Sequence, residues 1–150
     1  MRDSGYTHTE EIIPHRANGY ERSKKGLRNA RFYDMSIPFA AGALYSTVDD
    51  LYAWNQALYT DKLLPTRWRD LLFRPNLQNY GYGWGILFPK DGQPFAGESI
   101  PMHGGAIFGF QSLIVRIPAH KDLIILLDNT ESPKLLDIAL EVRRLLADLK

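Results

Sequence analysis

His103-Gly-Gly-Ala-Ile-Phe-Gly-Phe-Gln-Ser-Leu-Ile-Val-Arg-Ile-Pro-Ala-His-Lys-Asp-Leu-Ile-Ile-Leu-Leu-Asp-Asn129 is the stretch on which the fold turns. Its opening, around Met102 to Phe108, reads as an extended segment. Gln111 to Ile117 is rich in β-branched residues and predicts a strand. Pro118 to Lys121 turns the chain, and Asp122 to Leu127 returns as an antiparallel strand. Leu123-Ile124-Ile125-Leu126-Leu127 is apolar on both faces, so cover is expected on both sides.

Helical periods flank these strands. Downstream, Ser132-Pro133 is read as the cap of a last helix, with Leu135, Ile138, Val142, Leu145 and Leu149 on one face. Upstream, Ser46-Thr47-Val48-Asp49-Asp50 pairs a capping hydroxyl with a carboxylate three residues on and opens a helix to about Thr60. Its expected buried stripe is Val48, Leu51, Trp54 or Asn55, and Leu58. Pro65 starts a short helix through about Phe73, which Pro75 stops. Tyr80-Gly81-Tyr82-Gly83-Trp84-Gly85-Ile86 alternates aromatic and glycine, as in a strand approached by another backbone on its glycine face. Residues 1–40 are turn-rich and predict loops and short extended pieces over a core they do not build. Two helices, then antiparallel strands, then a helix make the fold class α+β, an antiparallel sheet flanked by helices.

Composition narrows the chemistry. The 150 residues suit one compact domain, and 45% hydrophobic with 23% charged is ordinary for a globular chain. A formal net charge of +1 gives no general attraction to nucleic acid or to an anionic membrane. The basic stretch Arg22 to Arg31 reads as a solvated loop. With no cysteine, disulfides, thiolate zinc sites and cysteine nucleophiles drop out, but the compartment stays unread. No apolar run approaches the roughly 18 residues of a membrane span, and the N-terminus has no apolar signal core. His8 and His15 with Glu10 and Glu11 lack the His-Glu-x-x-His spacing of a zinc protease, so no metal and no cofactor are expected. His120 falls in a hairpin turn and is expected to be solvated. Trp54, Trp68 and Trp84 are expected as core or partly buried anchors.

His103-Gly104-Gly105-Ala106 is the sharpest functional string. Two glycines after a histidine let backbone N–H groups approach a ligand without a Cβ in the way. Such a donor can stabilise an oxyanion while the imidazole orients a polar substrate group. Taken alone, the string also fits a tight turn beside a surface histidine. A His-Gly-Gly oxyanion segment of the α/β-hydrolase kind requires Gly-x-Ser-x-Gly downstream, and the chain contains no such string.

The quoted block resembles the C-terminal block of the serine β-lactamase family, specifically class C β-lactamases and their D,D-peptidase, D-aminopeptidase and esterase relatives. There a Lys-Thr-Gly or His-x-Gly strand is followed by two antiparallel strands ending in asparagine before the last helix. Upstream, Ala41-Gly42-Ala43-Leu44-Tyr45-Ser46-Thr47-Val48-Asp49-Asp50-Leu51 resembles the family's Gly-Gly-Leu-x-Ser-Thr-x-x-Asp-Leu helix start. Tyr80-Gly81-Tyr82-Gly83-Trp84 resembles its Tyr-Gly-x-Gly-Trp strand, and Met1 to Tyr6 looks like the segment after its Pro-Leu-Gly-Met turn. The resemblance implies that His103 binds substrate beside the nucleophile and that Gly104 and Gly105 keep the strand edge open. It further implies that the Ala106 N–H is half of the oxyanion hole and that Asn129 lies near a substrate carboxylate. Histidine in place of lysine favours an esterase or a peptidase of D-amino-acid substrates over a true β-lactamase.

The family's nucleophile motif, Ser-x-x-Lys, is absent: no serine (4, 23, 36, 46, 99, 112 or 132) has lysine three residues later. Tyr-x-Asn is absent too, Asn55 standing one position too far from Tyr52. Both precede Met1 in the family's order. Residues 1–150 are therefore expected to be the C-terminal half of such a hydrolase domain, inactive alone, from a parent exported or periplasmic by resemblance. Its expected partners are the N-terminal half, or a second copy through an open edge at 122–127, with a small ester or peptide as the parent's substrate. The alternative expectation is a non-catalytic binding or assembly module using that same edge.

Overall fold

The computed structural model describes residues 1–131 and 134–149. In chain order the elements are β1 (Gly5–Tyr6), β2 (Tyr20–Ser23), β3 (Gly26–Asn29), β4 (Leu44–Tyr45), α1 (Val48–Ala57), α2 (Thr66–Leu72), β5 (Gly85–Leu87), β6 (Ile100–Ile107), β7 (Phe110–Ile117), β8 (Asp122–Asp128) and α3 (Leu135–Asp148). The expected α+β class holds. Its centre is a four-stranded antiparallel sheet in the order β5-β6-β7-β8, with two small two-stranded sheets, β1-β4 and β2-β3, beside it.

Side chains alternate across this sheet, and two cores follow from the alternation. On one face Ile100, Leu113, Val115 and Ile124 bury against Leu135 and Ala139 of α3. On the other, Ile86 and Trp84 pack with Leu58, Trp54 and Ile114 beneath α1. The Trp54 and Trp84 rings stack 5.7 Å apart at 9°. Arg116 enters this second core, 2% exposed, and its Nε donates to Asn55 Oδ1 at 2.6 Å. Its guanidinium lies over the rings of Phe73 and Tyr59, at 4.4 and 4.8 Å, and desolvation lowers its pKa from the ordinary value. A cation held by an amide and aromatic faces thus ties the sheet to both preceding helices.

Several expectations shift. Thr47 caps α1 as expected, its Oγ1 accepting from the Asp50 N–H at 3.2 Å, but the Asp50 carboxylate binds the Ser4 hydroxyl and the Asp3 and Arg2 N–H groups. The helix turns Trp54, Asn55 and Leu58 inward as expected, and departs from the expected stripe at Val48, which is 46% exposed. The last helix is rotated from its expected phase. Leu135, Ala139, Val142 and Leu146 face the sheet, while Ile138, Leu145 and Leu149 lie on the outside. Small Ala139 lets the helix come close, which a wider Leu or Ile at that height prevents. The expected cap Ser132-Pro133 lies outside the described residues.

Residues 80–84 form a turn rather than a strand, and β5 begins at Gly85. Gly83 has φ +78, and a Cβ on Gly81 would meet the Leu72 carbonyl oxygen at 2.5 Å. The close backbone approach is real, but it belongs to a turn. Arg22 to Arg31 is solvated as expected, but most of it belongs to the β2–β3 hairpin, and Arg28 and Arg31 both pair with the buried Glu21 carboxylate, at 2.8 and 3.1 Å. His120 is not merely solvated, since Nε2 meets Glu98 Oε1 at 2.9 Å. Trp68 on α2 stays 49% exposed. β8 has helices near both faces, yet Leu127 is 45% exposed.

Candidate active site

Strand lengths create the site. β5 pairs only with the first part of β6, from Gly85 opposite Met102 to Leu87 opposite Ile100. β6 runs on to Ile107 with β7 as its only strand neighbour among the described residues, His103 facing Ile114 and Ala106 facing Gln111. From His103 onward one margin of β6 is therefore open, and His103, Gly104, Gly105 and Ala106 are all exposed. A strand margin carries backbone donors and acceptors without ladder partners. This is an exposed sheet edge, not a buried turn.

Alternation divides the four residues between two surfaces. His103 and Gly105 share the face of Ile114, on the α1 side, while Gly104 and Ala106 share the face of Met102, on the α3 side. On that second side a cleft of about 410 Å³ opens among Gly104, Ala106, Ser112, Leu113, Leu135 and Leu136. A Cβ on Gly105 would come within 2.9 Å of Ser112 Oγ, so glycine there keeps the neighbouring hydroxyl in place. His103 Nε2 and the Tyr80 hydroxyl are 2.8 Å apart. Tyr80 was read in the sequence only as part of a motif. Its role as the histidine's partner depends on the turn that brings residue 80 beside residue 103.

The far end of the margin is clasped by the N-terminal region. Gly109, at the β6–β7 turn, has φ +79, and its N–H donates to Glu131 Oε1 at 2.8 Å. Gly19 crosses so closely that a Cβ on Gly109 would lie 2.7 Å from its backbone. The Tyr20 N–H donates to the Asn129 carbonyl at 2.8 Å, and Asn129 Nδ2 donates to the Asn18 carbonyl at 2.9 Å. Asn129 thus lies at the same end of the sheet as Ala106, with one amide hydrogen engaged in holding the β2–β3 hairpin. Arg31 lies over Phe108 at 4.5 Å, and Tyr33 meets the same ring edge-on at 4.9 Å.

Among the described residues no group of three His, Cys, Asp or Glu side chains is placed to hold a metal ion. No helix among them is long and apolar enough to cross a membrane.

Comparison with known proteins bears on the family and the fold. A family model described as Beta-lactamase matches residues 1–148. Penicillin-binding protein 4* of Bacillus subtilis (strain 168) is 30% identical over 97 residues, which is 60% of this chain and 20% of that protein. Among solved structures, a penicillin binding protein from Bacillus halodurans superposes with TM-score 0.76 at 20% identity, covering 97% of this chain and 44% of that one. FmtA from Staphylococcus aureus gives 0.75 at 20% identity, with 98% and 39% covered. A D-stereospecific amidohydrolase from Streptomyces sp. gives 0.67 at 21% identity, with 87% and 40% covered. The chain spans a fifth of that relative's length and less than half of each of these structures.

Proposed function

The chain belongs to the beta-lactamase family, and from that premise we propose that it supplies one wall of a serine hydrolase site whose nucleophile comes from outside residues 1–150. The observation that carries this reading is the open margin of β6 beyond Met102. There the Ala106 N–H serves as one oxyanion donor, and the amide of the incoming serine serves as the other. His103 orients the substrate, Gly104 and Gly105 leave room for it, and Asn129 lies toward its carboxylate end. An ester, a D-amino-acid amide or a D,D-peptide is the proposed substrate class.

In such a site a serine hydroxyl gives its proton to a base outside residues 1–150 and attacks the carbonyl carbon, whose oxygen takes the negative charge. Collapse breaks the ester or amide bond and expels the alcohol or amine with that proton, and water then hydrolyses the acyl-serine to the free acid and the serine. The β6 margin contributes to the charged stage. A rigid strand amide needs no reorganisation when the charge appears, which is where electrostatic catalysis gains most. Without the serine no covalent step starts, so the chain alone is expected to be inert. The test mixes the chain with the separately expressed nucleophile-bearing portion of a family member and follows a chromogenic ester. Hydrolysis confined to the mixture supports the reading; saturable turnover by the chain alone contradicts it.

A second reading, a non-catalytic assembly module, draws on a different observation. Among the described residues β8 has a strand neighbour on one side only. Leu127 beside that edge, and Leu145 and Leu149 on the outer side of α3, are well exposed. An apolar edge of this kind invites pairing with another chain. A complementing partner chain or a second copy is the proposed occupant. Tight association without any hydrolysis in the mixing experiment favours this reading over the first.

A further inference from the structure

We infer that Tyr80 is a positioning residue for His103: its hydroxyl donates to Nε2 and fixes the neutral imidazole with its proton on Nδ1. The ring then presents Nδ1–H as a donor to an acceptor oxygen of the substrate. This rests on the reading of His103 as the residue that meets substrate.

Three observations support the pair. The first is distance: the phenol oxygen and Nε2 lie 2.8 Å apart, and the two rings stand 67° to one another. The second is delivery. Tyr80 leaves a tight turn in which Gln78 and Asn79 hold positive φ, at 54° and 58°. The turn is bound at several points: the Asn76 N–H donates to the Tyr80 carbonyl, the Gly81 N–H to that of Trp84 and the Tyr82 N–H to that of Leu72. Strained residues persist where the surroundings over-determine them, and here the result is a phenol held at a fixed place. The third is the contrast with Tyr82, two residues on: both phenols are exposed, at 45% for Tyr80 and 58% for Tyr82, yet only Tyr80 has such a ring partner among the described residues.

The direction of the bond follows from the groups. A phenol is a good donor, and the unprotonated imidazole nitrogen is the better acceptor of the two. Donation from Tyr80 to Nε2 leaves the ring's only proton on Nδ1. Among the described residues no other hydrogen bond to the His103 ring competes with this one. The bond therefore selects both the tautomer and the ring orientation, while leaving one nitrogen for a ligand.

Long-range proton–nitrogen correlation of the ¹⁵N-labelled chain, at a pH where the ring is neutral, tests this directly. In the unsubstituted protein the Nδ1–H form of His103 is expected to be the majority. In Tyr80→Phe the majority shifts to Nε2–H, and Tyr82→Phe leaves the spectrum unchanged. Gly81→Ala, which keeps the phenol but pushes on the turn, is expected to reduce the Nδ1–H fraction as well. An Nε2–H majority in the unsubstituted protein, or the same tautomer in Tyr80→Phe, overturns the inference. The readout is the ring and not turnover, so the two claims fail separately. An Nδ1–H ring without hydrolysis in the mixing experiment keeps the pair and removes the hydrolase reading, and hydrolysis with an Nε2–H ring does the reverse.

Discussion

Gly109 shows how much of the site hangs on single residues. Its φ of +79 is left-handed, and an added Cβ would lie 2.5 Å from Ala30 Cβ and 2.7 Å from the Gly19 backbone. Gly109→Ala is expected to destabilise the chain by about 2 kcal/mol or more, from backbone strain and overpacking together. The shift in urea midpoint at constant slope measures it. Asn55→Ala takes the amide acceptor from the buried Arg116 guanidinium. A loss of about 2–3 kcal/mol is expected from a buried charge-assisted bond, read by the same titration. His103-Gly104-Gly105-Ala106 was legible in the sequence because its parts are neighbours on one strand. The Tyr80 partner was not, because residue 80 reaches residue 103 only through a turn whose dihedrals no local pattern announces. Asn129 was legible as the end of a strand, but its bond to Asn18 spans 111 positions.

Asp50 acts where two elements meet. The Ser4 hydroxyl, then the Asp3 and Arg2 N–H groups, bind its carboxylate and hold its pKa below the ordinary 3.8. A depressed carboxylate adds stability that is complete above its unfolded pKa and disappears as pH falls through the folded one. Melting temperature is therefore expected to fall on acidification below about pH 4, and less steeply in Asp50→Asn. The last helix offers a second check at this scale. Ala139→Leu, against the sheet, is expected to cost about 1–3 kcal/mol by overpacking, whereas Leu145→Ala stays within about 0.5 kcal/mol. The reverse ranking in thermal unfolding would restore the phase read from the sequence. That phase erred because Leu and Ile occur all around the helix, so apolar periodicity alone could not choose between the Ala139 side and the Leu145 side. The strands at 111–117 and 122–127 were read nearly to the residue, since β-branched runs between turn residues leave little choice.

The whole molecule presents a sheet with two unlike edges. β5 is short and leaves the upper part of β6 without a strand on that side, whereas β8 has no strand neighbour on its outer side among the described residues. Concentration-dependent light scattering is expected to show association through the β8 side, reduced when Leu127 is replaced by lysine, a residue that blunts strand edges. A clean monomer at high concentration opposes that expectation. The α+β class was legible because helical and strand periods occupy separate segments of the chain. The open margin beside His103 was expected only through the family resemblance and not from any local pattern, since it depends on where β5 stops.

The central claim is that an amide on this margin stabilises an oxygen made negative by a serine from elsewhere. Its most direct measurement is the ester turnover rate of the complemented pair carrying Ala106→Pro, which removes that N–H and leaves His103 untouched. A fall of about 10²–10³-fold in kcat is the expected result. An unchanged kcat in a pair that still assembles would contradict it.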